Sequence, residues 1–136
     1  GVHRRQRQMC IRDSNTKVQH ICHEPEDIDL LSEILEKAYI EKDGTWCLFV
    51  IGHYTGKISD PNKISLYLER LEKNKFNADW AICAFDKEEF SCLKEAIKLG
   101  GKIRVGFENS LMLPNGEMAP DNETKIKIIK EELNIN

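Results

Sequence analysis

Two runs of apolar residues limit what this chain can become. Residues 45–54 read Thr-Trp-Cys-Leu-Phe-Val-Ile-Gly-His-Tyr, and residues 78–85 read Ala-Asp-Trp-Ala-Ile-Cys-Ala-Phe. Neither run alternates apolar with polar side chains, so each needs cover on both faces. A strand inside a parallel sheet meets that need. Parallel strands cannot be joined by tight hairpins and need a crossover, usually a helix. The intervening sequence supplies one. Residues 61–75 place Ile64, Leu66, Leu68 and Leu71 at helical intervals. The same periodicity recurs at 25–41 (Ile28, Leu31, Ile34, Leu35, Ala38, Tyr39), 87–99 (Phe90, Leu93, Ala96, Ile97, Leu99) and 123–133 (Ile126, Ile128, Ile129, Leu133).

Local signals set the boundaries. Pro25 suits a first helical turn, and Glu26, Asp27 and Asp29 suit its positive end. Asp43-Gly44 is expected to stop that helix. Asp60 can cap the next helix, with Pro61 at its first position. Gly100-Gly101 ends the third helix where a left-handed residue is needed. Residues 17–22 form a shorter strand candidate. The expected order is β-α-β-α-β-α-β-α, with strands about 30 residues apart, the length of a βαβ unit. That predicts an α/β chain of about four βα units around a parallel sheet, with right-handed crossovers. A closed (β/α)8 barrel takes about 250 residues. The 136 residues here are expected to leave both sheet edges open.

The fourth strand carries the chemistry. In Gly100-Gly101-Lys102-Ile103-Arg104-Val105-Gly106-Phe107-Glu108-Asn109, Ile103, Val105 and Phe107 alternate with more polar residues. Period two puts Arg104, Gly106 and Glu108 on one face, a cation and a carboxylate separated by a gap without a side chain. Such a face can hold a small anion and a metal. The same spacing also describes a strand with one wet face and a surface ion pair.

These residues carry a resemblance. Residues 101–109, followed by Leu111, Leu113-Pro114-Asn115-Gly116, Ala119-Pro120 and Asn122, resemble the C-terminal signature of the β-keto acid cleavage enzymes. The best-known member type is the 3-keto-5-aminohexanoate cleavage enzyme. Weaker agreement extends back to about Lys17. The resemblance implies the C-terminal half of a (β/α)8 TIM barrel, residues 15–136. It implies Glu108 as a carboxylate ligand of a divalent metal, usually zinc, and Arg104 as the catalytic arginine. Asn109 and Gly52 are implied as substrate-binding positions, Gly52 through a glycine-containing loop. The implied reaction joins a β-keto acid to acetyl-CoA and cleaves a C–C bond, giving acetoacetate and a new CoA ester. The complete enzyme is expected to be a homo-oligomer. Two departures stand out. Phe85-Asp86 replaces a glycine-containing strand end, and Asn109 stands where the well-studied type has aspartate. An amide cannot exchange a proton near neutral pH, so Asn109 is expected to bind or orient rather than act as an acid or base.

The remaining signals narrow the function classes. The chain carries a net charge of −3, unevenly spread. Residues 1–14 hold four arginines and one aspartate for a net +3, against −6 for the remainder. This arm lacks aromatics and periodicity, so no nucleic-acid partner is expected. It resembles translated adapter sequence and is read as non-native. No apolar run approaches the roughly 18 residues of a membrane span. Five scattered cysteines without a C-x-x-C pair point to reduced thiols and a cytoplasmic protein. His20 and His23 straddle a strand end at the wrong spacing for the family's H-x-H zinc pair, and His53 stands at a strand mouth. Two other functions compete. One is a non-catalytic α/β binding or interaction domain. The other is a phosphate-binding barrel, which Gly100-Gly101 serves poorly because the glycines precede their strand.

Overall fold

The computed structural model of the chain describes residues 17–53 and 57–135; the expectation for the arm at 1–14 lies outside them. The order is β1 (Gln19–Cys22), α1 (Glu26–Lys37), β2 (Trp46–Ile51), α2 (Lys63–Lys73), β3 (Asp79–Ala84), a 3-10 turn (Asp86–Glu88), α3 (Glu89–Lys98), β4 (Lys102–Ile103) and α4 (Asn122–Leu133). The four strands form one sheet in the order β1-β2-β3-β4. Each pair is parallel, with Leu48 opposite Ala81 and Val50 opposite Cys83. The alternation expected from the sequence is therefore present as four βα units.

The two faces of the sheet differ. Cys22, Cys47, Phe49, Ile51, Ile82 and Ala84 join helix residues such as Ile28, Tyr67, Leu93 and Ile129 in one core. Leu48, Val50, Ala81 and Cys83 form a separate small cluster with Trp46 and Phe85, without helix residues among its described members. Both faces of β2 and β3 are thus buried, as the unbroken apolar runs require. Sequential parallel order, with the helices packed against one face among the described residues, is consistent with part of a barrel wall. A doubly wound sheet reverses its strand order and carries helices on both faces.

Aromatic packing fixes the sheet to its helices. The ring of Phe49 stacks on Tyr67 at 4.5 Å and on Trp80 at 5.7 Å. The buried Tyr67 hydroxyl lies 3.0 Å from the Val50 carbonyl and 3.2 Å from the Cys22 carbonyl. One donor from α2 therefore serves the carboxyl ends of two strands. Trp80 explains Gly101: a Cβ there would overlap the indole ring. Gly100 has φ +87 and open space around it, so it is required by backbone conformation alone.

Three expectations need correction. The first helix ends at Lys37, before Asp43-Gly44, because Tyr39 takes a left-handed φ of 54 and Ile40 N–H reaches back to the Leu35 carbonyl. The last helix buries Lys125 and Ile129 and leaves Ile126 exposed, so its inward face differs from the one its isoleucines suggested. The fourth strand pairs only over Lys102–Ile103. Arg104 N–H still donates to the Ile82 carbonyl, but Asn109 and Ser110 N–H both turn back to the Gly106 carbonyl. Gly106 thus begins a turn, and Glu108 is not the next step along an extended face.

Candidate functional site

Parallel strands present their last residues at one end of the sheet, and in barrels that end carries function. Here it gathers Gly52 after β2, Phe85-Asp86 after β3 and the Arg104–Ser110 segment after β4. Ser59 ties the first two together. Its hydroxyl donates to the Ile51 carbonyl at 2.6 Å and accepts from Phe85 N–H at 3.0 Å. Gly52 has φ +87, and a Cβ there would overlap the Ser59 hydroxyl. Glycine lets the chain turn sharply enough for Ser59 to reach both strand ends. Gly52 is buried, so backbone is all it can offer a ligand.

Arg104 and Glu108 form an ion pair four residues apart, with the side chains 44% and 60% exposed. The turn at Gly106 makes this possible, bringing Glu108 back toward Arg104. A Cβ on Gly106 would come no nearer than 3.8 Å to the Glu108 carboxyl group. The gap expected between the cation and the carboxylate is therefore absent: the turn folds Glu108 over Gly106 and into direct contact with Arg104. Asn109 is buried, and its Oδ1 has no hydrogen-bond partner. Its amide and the Arg104 charge both act on the Cys83 thiol on β3. Burial raises the Cys83 pKa, while the Arg104 charge and a hydrogen bond from Asn109 pull it down. Arg104, Glu108, Asn109 and Cys83 thus share one end of the sheet, and Gly52 stands one strand away.

The turn is held from several sides. Phe107 N–H donates to Asn122 Oδ1 at 3.1 Å, and Asp86 N–H donates to the Asn109 carbonyl at 3.0 Å. The buried Lys125 ammonium contacts the Ser110 carbonyl and lies 3.5 Å from the Gly106 carbonyl. Lys125 also pairs with buried Glu89 at 2.8 Å. Burial raises the Glu89 pKa and Lys125 opposes that rise. Sequence reasoning missed Glu89 and Lys125, and named Asn122 only as part of the family signature. The available signal was a lysine four residues before Ile129, on the apolar stripe of a short helix.

Beyond the turn, the long loop is ordered. Met112 bridges Met118 in antiparallel fashion, and Leu113 N–H donates to the Glu117 carbonyl at 2.7 Å. Neither His20 nor His23 joins a cluster. Among the described residues no three histidine, cysteine, aspartate or glutamate side chains converge as metal ligands. The described cysteines Cys22, Cys47, Cys83 and Cys92 are free and buried. Among the described residues no helix is long and apolar enough to cross a membrane.

A comparison with protein families gives this arrangement its context. The family model described as beta-keto acid cleavage enzyme matches residues 5–134. Because the match spans nearly all of its 136 residues, the chain belongs to the beta-keto acid cleavage enzyme family.

Proposed function

We propose that this chain supplies the C-terminal half of a TIM-barrel enzyme that condenses a β-keto acid with acetyl-CoA. The products would be acetoacetate and a new CoA ester. One observation carries the reading. In a member of this family, Arg104 and Glu108 pair over the Gly106 turn, next to buried Asn109, whose Oδ1 has no hydrogen-bond partner. All lie at the carboxyl end of a parallel sheet in sequential order, which supports a barrel wall.

A divalent metal fits Glu108 as one oxygen ligand. The Glu108 side chain is 60% exposed on its turn, so a cation can reach its carboxylate. A catalytic zinc site takes three protein ligands and keeps one position open, so the others would come from outside the described residues. When bound, the metal would supply Lewis-acid polarisation and a template for a keto acid. The rest follows from this chain's own groups. The Arg104 guanidinium, permanently charged and planar, would stabilise negative charge developing on the keto acid. Asn109 would orient Arg104 or bind substrate through its side-chain amide, without exchanging a proton. Gly52 would line the pocket with backbone. A homo-oligomeric, cytoplasmic enzyme remains part of the proposal.

The direct Arg104–Glu108 pair also favours a second reading, a non-catalytic domain in which the two merely neutralise each other. Exposed pairs of this kind contribute about 0–1 kcal/mol. Arg104→Lys in the complete enzyme separates the readings. It keeps the charge and loses the planar fork. Acetoacetate formation should fall about 100-fold or more, the effect of losing one transition-state donor, with zinc content unchanged. Full turnover by the variant would show that Arg104 and Glu108 merely pair; no turnover by the parent would support a non-catalytic domain.

A further inference from the structure

Lys125 is the most deeply buried charge among the described residues, at 0% exposure. A buried ammonium is costly unless its partners are well placed. Three are. Glu89 Oε1 accepts at 2.8 Å, the Ser110 carbonyl is in contact, and the Gly106 carbonyl lies at 3.5 Å. The two carbonyls bracket the turn that presents Glu108 and Asn109. Glu89 comes from α3 and Lys125 from α4, so the pair joins two helices and the turn. A lysine serving only to link α3 to α4 would need Glu89 and no carbonyl.

We propose that Lys125, anchored by Glu89, is a positioning residue whose ammonium clamps the Gly106 and Ser110 carbonyls and so fixes the Glu108–Asn109 turn. This role rests on the proposed use of Glu108 for its consequence at the metal, but not for its consequence in the turn. Without the clamp both carbonyls lose a charged donor, and the turn keeps its weaker restraints: its own N–H bonds to the Gly106 carbonyl, Asn122, the Asp86 N–H and the exposed Arg104 pair. The Glu108 carboxylate would then sample positions away from its ligand geometry.

The test uses the complete enzyme that contains this segment. Lys125→Met keeps the side chain's length and removes the ammonium, but strands Glu89 without its partner. The double variant Glu89→Leu with Lys125→Met removes that stranded charge, and replacing both members of a buried pair is often neutral for stability. Hydrogen exchange is read on the peptide covering residues 106–110 and, as reference, on β2. In the double variant the turn should exchange about 10-fold faster or more, the effect of losing a charge-assisted hydrogen bond. The reference should change less than about twofold. Cobalt(II) titration, followed by visible absorption, should show binding weakened by about 10-fold or more, as loss of an outer-shell partner typically does. Equal acceleration of turn and β2 would mean that the pair only holds the core, and would overturn the proposal. So would an unchanged turn, or failure of both variants to fold. If Glu108→Gln leaves cobalt binding intact while the turn still loosens in the double variant, the metal reading fails and the clamp stands.

Discussion

Gly100 and Gly101 are neighbours with separate reasons to be glycine. Gly100 takes φ +87 with nothing near its Cβ position, whereas a Cβ on Gly101 would strike Trp80. Gly101→Ala should therefore cost about 1–3 kcal/mol through overpacking. Gly100→Ala should cost about 1 kcal/mol through the left-handed backbone. Urea unfolding of both variants checks the order, and a larger loss at Gly100 would contradict it. The sequence marked the pair as a helix stop but not which glycine met which constraint, because Trp80 lies far away in the chain. The site was legible in the same partial way. Arg104, Gly106, Glu108 and Asn109 stand out by type and spacing. Period two, however, predicted a straight strand where hydrogen bonds to the Gly106 carbonyl make a turn. For Lys125 the sequence offered only its place on the apolar stripe; a lysine is rarely fully buried, and its carbonyl partners are set by tertiary structure.

Helix ends show what local sequence can hide. All four helices close on a left-handed residue: Tyr39, Lys75, Gly100 and Asn134. In each case the next N–H reaches back five residues, as from Phe76 to the Leu71 carbonyl at 2.8 Å. Glycine and asparagine announce such an end; tyrosine and lysine do not. Burial of Ile40 and Phe76 just beyond them offsets the backbone cost. Between α1 and α2, Asp29 accepts from Asn74 at 2.7 Å and pairs with Arg70. The Asn74 hydrogen bond does most to lower the Asp29 pKa; burial opposes it, and the Arg70 and Lys73 charges add to the lowering. A depressed native pKa stabilises the fold above the unfolded value of about 3.9 and loses that contribution as pH falls through the native value. Asp29→Asn takes up no proton there. Its unfolding free energy should therefore fall less steeply than the parent's between about pH 5 and pH 2. Parallel slopes in denaturant titrations would show that the contact has no linkage to protons.

At the scale of the molecule, the alternation of strand and helix was the most legible feature. Unbroken apolar runs and amphipathic spacers leave a parallel sheet as the economical solution. The one-sided helix layer was harder to read, because burial on both faces looks the same in sequence whatever covers it. That winding supports a barrel wall whose carboxyl end carries Arg104, Glu108 and Asn109. The account centres on Glu108 as a ligand of a divalent metal in the complete enzyme. Glu108→Gln keeps the shape of the side chain and removes the charge that helps neutralise a dication, and an amide is a poorer zinc ligand. The most direct measurement is zinc per active site by elemental analysis, taken beside acetoacetate formation, in the complete enzyme and its Glu108→Gln variant. The account predicts that zinc and turnover fall together. A variant that retains full zinc and full turnover would contradict it.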